Sequence, residues 1–320
     1  MKRDNLETIE TRAGRTGVAR EILSILRKTV VAWSEDYAPS MGAALAYYTM
    51  FSIAPLLLIV ISIAGFFFGP DAARGEIVAQ LGGMMGEDGA KAIEGMLASV
   101  NKFSANIFAT AFGILLLLFG ATTVLAELQS NLDRIWKVPE RARKSGVWSF
   151  ARARLLSLGM ILGIAFLLMV SLIVSASIAA VGRWYEAYLG SYEIVLQALD
   201  FIVSFGLFTC LFAMIYKFMP QARVAWRDVW IGAAFTTVMF IVGKTLIGLY
   251  IGKSGIASGF GAAASLVVML IWVYYSAQIF LLGAEFTHTY WEEVGSGRHS
   301  KTKGERRKTE GHSAPRKPGR

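Results

Sequence analysis

Long apolar runs alternate along this chain with short connections that carry its charge. Residues 37–70, 103–126, 155–182 and 254–284 contain no Asp, Glu, Lys or Arg. Two more runs, 194–216 and 229–252, are interrupted only by Asp200 and Lys244. None of the six shows the period-two alternation of a barrel strand, so each reads as a helix. A helix needs about 20 apolar residues to cross the hydrocarbon layer, and every run reaches that length. Lipid offers the backbone no partner, and a helix supplies its own. The pattern predicts an all-α polytopic membrane protein, a bundle of about six transmembrane helices over 41–290, with an N-terminal region 1–40 and a tail 291–320.

The flanks and connections carry weaker patterns. Val18, Ile22, Ile25, Leu26 and Trp33 share one helical face while Arg20, Arg27 and Lys28 lie elsewhere, which predicts an amphipathic helix in the cytoplasmic interface. Arg141 to Arg154, with Trp148 and Phe150 among its basic residues, suits the same position. The first run follows some 36 polar residues without a short basic region or a small-residue cleavage site, so it is expected to be retained as a span. The 70–105 connection has Gly82, Gly83, Gly86 and Gly89 near its middle and predicts two short amphipathic helices around a glycine turn. From Gly295 on, Lys, Arg, Gly, Ser and Pro without apolar periodicity predict disorder.

Composition agrees: 55% of residues are hydrophobic and 17% charged, against about a quarter charged in soluble domains. The distribution of the 32 Lys and Arg residues adds direction. Seven lie in residues 1–40, seven in 127–154, three in 217–228 and nine after 285, while the connections between these segments hold three, one and one. Cytoplasmic loops carry the basic excess, so both termini are expected in the cytoplasm. The net charge of +9 then belongs to a surface facing anionic lipid headgroups. The lipid bilayer and those headgroups are the expected partners, and nucleic acid is not. The one cysteine, Cys210, lies inside the fourth run and excludes a disulfide framework.

Polar residues within spans are costly and are the natural candidates for function. Lys244 and Asp200 fall near the outer ends of the fifth and fourth runs, where they either pair or sit separately, Lys244 snorkelling to the headgroups. A second group collects at the inner ends: Tyr47, Tyr48, Thr49 and Ser52 in the first run, Glu127, Gln129, Asn131 and Asp133 after the second, and Gln278 and Glu285 in the sixth. Arg134, Arg152 and Arg154 share that level. An interfacial rim with paired carboxylates and an aromatic belt is the commoner arrangement, and an inward-facing polar cavity is the alternative. Pro55, in the middle of the first run, should kink or open its helix, for shape or to build a transporter site. Gly159 with Gly163, Gly232 with Ala233, Gly255 with Gly259, and Ala262 to Ala264 suit close helix crossings.

Four segments carry a resemblance: MGAALAYYTMFSIAPLLLIV from Met41, LAELQSNLDRIWKV from Leu125, YKFMPQARVAWRDVWIGAAF from Tyr216 and SLVVMLIWVYYSAQIFLLGAEF from Ser265. Together they look like the YihY/BrkB family of bacterial inner-membrane proteins, once labelled ribonuclease BN, over about residues 30–290. The resemblance implies an inner-membrane protein of six spans with both termini cytoplasmic. It implies no catalytic residues, and it links members loosely to virulence or serum resistance and to envelope lipid movement. The positions matching its motifs are Ala46, Tyr47, Tyr48, Ser52, Pro55, Leu56, Asn131, Trp136, Pro220, Trp272, Tyr274, Gly283 and Glu285.

A nuclease would need clustered His and Asp metal ligands, yet His288, His299 and His312 are scattered at and beyond the end of the last run. No GxxxxGK[ST] loop is present to cradle ATP. The expectation is a non-enzymatic protein without cofactor or metal, handling an amphipathic substrate by transport or envelope lipid movement without its own ATPase. The alternative is a structural or regulatory scaffold. Substrate, energy source and oligomeric state stay open.

Overall fold

The structure, a computed structural model, describes residues 4–85, 94–95, 123–139, 193–222, 224–254 and 264–297. The predicted third span, most of the second, the Arg141–Arg154 segment, the glycines at 86, 89, 159, 163, 255 and 259, and the tail from 298 lie outside those residues. Among the described residues every regular element is a helix. These are α1 (Asp4–Glu35), α2 (Ala38–Phe68), α3 (Pro70–Met85), α4 (residues 123–135), α5 (Glu193–Phe218), α6 (Trp226–Ser254) and α7 (Ala264–Glu293).

Three helices among the described residues are long and apolar enough to cross a membrane, over Phe201–Phe218, Trp226–Ile251 and Leu266–Glu293. Their outer faces expose Phe201, Ile202, Val238, Val242, Leu246 and Leu249, an apolar surface suited to lipid and not to water. With α2, a 31-residue helix lacking any charged side chain, they account for four of the predicted runs. Helix α2 continues without interruption past Pro55. It stops at Gly69, whose φ of 87° suits a residue without Cβ and whose N–H bonds to the Gly65 carbonyl at 2.9 Å. Pro70 then opens α3, where a missing N–H costs nothing. Gly82 and Gly83 lie inside α3, so the helix continues through the first half of the expected glycine turn.

Among the described residues, α7 is the helix that joins most of the others. It packs against α1, α2 and α6, while α5 packs against α6. Such crossings bring backbones together where one helix offers hydrogen in place of a side chain. A Cβ added at Gly232 of α6 would stand 1.8 Å from the Thr287 hydroxyl of α7, and one at Gly283 of α7 would stand 2.0 Å from the Thr236 hydroxyl of α6. Gly42 of α2 meets Gln278 of α7 in the same way. The predicted role of Gly232 and Ala233 in a close crossing therefore holds.

Hydroxyl groups tie α5, α6 and α7 together within this apolar core. The buried Tyr216 hydroxyl donates to the Phe280 carbonyl at 2.8 Å and pairs with Thr236 at 3.0 Å, joining α5, α6 and α7. Thr209 and Thr237 pair at 3.1 Å across α5 and α6. Each threonine hydroxyl also lies within hydrogen-bond distance of a carbonyl one turn back in its own helix, an alternative acceptor for its single proton.

The flanking segments are more firmly attached than their sequence implies. Helix α1 lies on α7, burying Ile25 and Thr29 and half-burying Trp33. Ile22 stays exposed beside Leu23 and Val30, so the face turned to the bundle is centred one turn further along than the expected apolar face. At the other end α7 runs to Glu293, and the described residues continue to 297, beyond the expected start of the tail at 291. There Ser296 donates its N–H and its hydroxyl to the buried carboxylate of Asp228, at 3.1 and 2.6 Å.

Candidate functional site

The end of the bundle bearing the basic segments holds a groove between α2 and α4. Tyr37, Ser40, Met41 and Ala44 form one wall, and Glu127, Ser130, Asn131 and Arg134 the other, each at the i, i+3, i+4, i+7 spacing of a single helix face. Asp133, Lys137 and Val138 complete a cavity of about 680 Å³. That size is within the range of small-molecule sites.

Both walls end in an unusual backbone turn. Tyr37 and Lys137, with φ of 58° and 49°, are the two non-glycine residues in the left-handed region among the described residues, and both line the groove. Each costs of order 1 kcal/mol, a strain held only where the surroundings over-determine it. At Lys137 the reason is a helix stop. The Lys137 N–H bonds to the Arg134 carbonyl and the Val138 N–H to the Asp133 carbonyl, both at 2.9 Å, and Pro139 prevents continuation. At Tyr37 the chain turns from α1 into α2, and Pro39 sits in the first turn. The turns present Tyr37 and Lys137 at the mouth of the groove, and the Arg134 guanidinium lies over the Tyr37 ring, 5.6 Å from its centre.

Charge is divided along the groove. Arg134 and Lys137 are exposed at the mouth, and Glu127 is half-buried two turns away along α4. Asp133 is buried and accepts the Gln221 N–H at 2.7 Å, which fixes α4 to the connection between α5 and α6. Behind the groove lies an unusual concentration of buried polar atoms. Among the described residues neither oxygen of Glu285 makes a hydrogen bond of good geometry, although the Asp36 carboxyl lies beside it, and Asn131 Nδ2, Gln278 Oε1, Trp33 Nε1 and Trp136 Nε1 have no partner. Asp36 and Lys137 lie within electrostatic reach of Glu285. Unpaired buried groups of this kind cost stability and gather where function holds them.

The structure thus brings some of the sequence candidates together. Glu127 and Asn131 line the groove, and Glu285 and Gln278 are set on α7 behind it. Tyr47 is exposed and stacks edge-on with Tyr48 and Phe51, while Ser52 is buried and bonds the Thr49 carbonyl of its own helix. Lys244 is half-buried near the opposite end of α6, and Asp200 lies in α5 with its side chain outside the described ones. Tyr37, Ser40, Ser130 and Lys137 were not singled out, although the spacing Glu127, Ser130, Asn131, Arg134 was available in the sequence. Among the described residues no three His, Cys, Asp or Glu side chains are placed to hold a metal ion.

Apolar helices, glycine crossings and a polar groove at one end define an integral membrane protein of all-α, multi-helix type. Residues 29–309 match the family described as Virulence factor BrkB, and the chain belongs to that family, as the motif residues indicated. It is 27% identical over 270 residues to a UPF0761 membrane protein of Acinetobacter baylyi, an alignment covering 83% of this chain and 61% of that relative. A UPF0761 membrane protein of Pseudoalteromonas atlantica is 29% identical over 248 residues, 76% of this chain and 78% of the relative. A third, from Pseudomonas aeruginosa, is 29% identical over 250 residues, 78% of this chain. The chain spans only 61% and 58% of the Acinetobacter and Pseudomonas proteins. No solved structure matches it.

Proposed function

We propose that this protein handles a membrane lipid at the cytoplasmic leaflet of the bacterial inner membrane, by transport or exposure of the lipid and without an ATPase or catalytic chemistry of its own. One observation carries the reading: a polar groove of about 680 Å³ at the basic end of an apolar bundle, flanked by the two left-handed residues Tyr37 and Lys137. A groove at this level meets headgroups on one side and acyl chains on the other. The Lys and Arg excess at that end supports a cytoplasmic orientation for it and for both termini.

A scaffold role is the second reading, and the hydroxyl ties between α5, α6 and α7 favour it, because they serve packing alone. Lipid profiling of each leaflet, with and without the protein, separates the two. Handling of lipid requires the leaflet composition to change with the protein, and Arg134→Gln with Lys137→Gln to abolish that change at an unaltered protein level. A composition indifferent to the protein and to the double variant would leave the scaffold.

A further inference from the structure

We propose that the groove binds a zwitterionic phosphate–amine headgroup, that of an aminophospholipid, with its phosphate at Arg134 and Lys137 and its ammonium at Glu127. The inference rests on the lipid-handling reading above and adds the class of lipid.

Three observations lead to it. First, the groove holds both signs of charge, separated along α4, with Arg134 resting on the Tyr37 ring and Lys137 within electrostatic reach of Glu285. Among the described residues none of Arg134, Lys137 and Glu127 makes an ion pair, and the acidic residue between them, Asp133, is committed to the Gln221 N–H. Seven residues separate Glu127 from Arg134, about 10 Å along the helix. That is too far for the two to neutralise each other, and it leaves space for a ligand bearing one charge of each sign. Second, Asn131 lies between them on the same face, 5% exposed, with an amide Nδ2 that has no hydrogen-bond partner among the described residues. A buried donor of this kind is costly, and a rotation of the enclosed amide toward the groove would offer it a phosphate or ester oxygen as acceptor. Third, the polarity follows depth. The cations stand at the mouth, where α4 ends and its carbonyls favour positive charge, and the carboxylate lies deeper, where an unpaired charge is more expensive.

This arrangement discriminates among headgroups. A purely anionic headgroup satisfies Arg134 and Lys137 but brings negative charge towards Glu127 with no cation for it. A choline headgroup has no N–H to give the carboxylate, and the single aromatic ring among the lining residues, Tyr37, is already covered by Arg134. A primary ammonium two carbons from the phosphate satisfies both ends.

The test is competitive lipid retention. The full chain, purified in detergent, is equilibrated with equimolar phosphatidylethanolamine, phosphatidylglycerol and phosphatidylcholine of identical acyl chains, and the lipid retained after washing is quantified by mass spectrometry. Phosphatidylethanolamine should be enriched over each of the others about fivefold, the size expected of one partly buried ion pair. Glu127→Gln should bring that ratio towards one, Glu127→Asp should keep most of it, and Arg134→Gln with Lys137→Gln should lower retention of all three lipids. Equal retention of the three by the unaltered protein, or a ratio unmoved by Glu127→Gln, overturns the headgroup assignment while leaving lipid handling intact. Retention insensitive to every variant removes the groove as a lipid site and with it the reading beneath. Excess soluble glycerophosphoethanolamine should leave the lipid bound. Displacement at concentrations equal to the lipid would assign the groove to a soluble phosphate–amine and overturn the membrane lipid as its occupant.

Discussion

At the scale of single residues, the bundle depends on positions where a methyl group is too much. Gly232 is the sharpest case, since a Cβ there would stand 1.8 Å from the Thr287 hydroxyl, 2.7 Å from its Cβ and 2.8 Å from its Cγ2. Gly232→Ala should therefore destabilise the protein by about 1–3 kcal/mol, the usual cost of overpacking a tight contact. Adding Thr287→Ala removes the hydroxyl and Cγ2 contacts and should recover part of the loss, a coupling measurable by thermal unfolding of the purified variants. Recovery is partial because the Cβ contact remains. The sequence made Gly232 and Ala233 visible as small residues in an apolar run, but not their partner. Thr287 lies 55 positions along the chain, and nothing local in either helix specifies which faces meet.

At the scale of elements, the apolar runs announced the helices well, because an uncharged stretch longer than 20 residues has few other solutions. What they could not give was the partner of α1: Ile25 and Trp33 lie on its expected apolar face, but nothing local shows that this face rests on α7. Nor could they give the groove, which needs α2 and α4 side by side. The neighbour relation of α5 and α6 was readable from their short connection and is confirmed by the Thr209–Thr237 hydrogen bond. The antiparallel register set by that bond brings the Lys244 level of α6 opposite the turn of α5 that follows Asp200. A double-mutant cycle follows from this register. If Lys244 and Asp200 pair, Lys244→Ala and Asp200→Ala should each lower thermal stability, and the double variant should lose less than the sum. Strict additivity, with Lys244→Arg harmless, would show that Lys244 reaches the headgroups alone.

At the scale of the whole molecule, the charge asymmetry makes a topological statement that can be read directly. Reporters fused after residue 298 should respond as cytoplasmic, and those placed near Glu87 or Tyr188 as external. The structure also sets where such a fusion or a truncation may begin. Removing everything from 296 takes away both donors that Ser296 gives to the buried Asp228 carboxylate, and this should reduce accumulation in the membrane. Removing 298–320 spares that contact and should leave accumulation unchanged. Immunoblotting of membrane fractions compares the two. The basic composition of the tail concealed this attachment, because the residue that makes it is a serine and not anything apolar.

The central place of α7 has a consequence for how the protein comes into being. This helix touches α1, α2 and α6, accepts the Tyr216 bond from α5, and stacks His288 and Trp291 on Trp136 beyond the end of α4. It is also synthesised after every helix it joins. Until the ribosome has delivered it, the earlier helices can be threaded into the bilayer, but the notches at Gly42 and Gly232 have no counterpart and the Tyr216 hydroxyl no carbonyl to meet. Biogenesis is therefore a waiting process: insertion proceeds span by span, while assembly is withheld until α7 has emerged. A premature stop before residue 264 would leave a set of inserted helices with nothing to close around, the kind of product that membrane proteases recognise and remove.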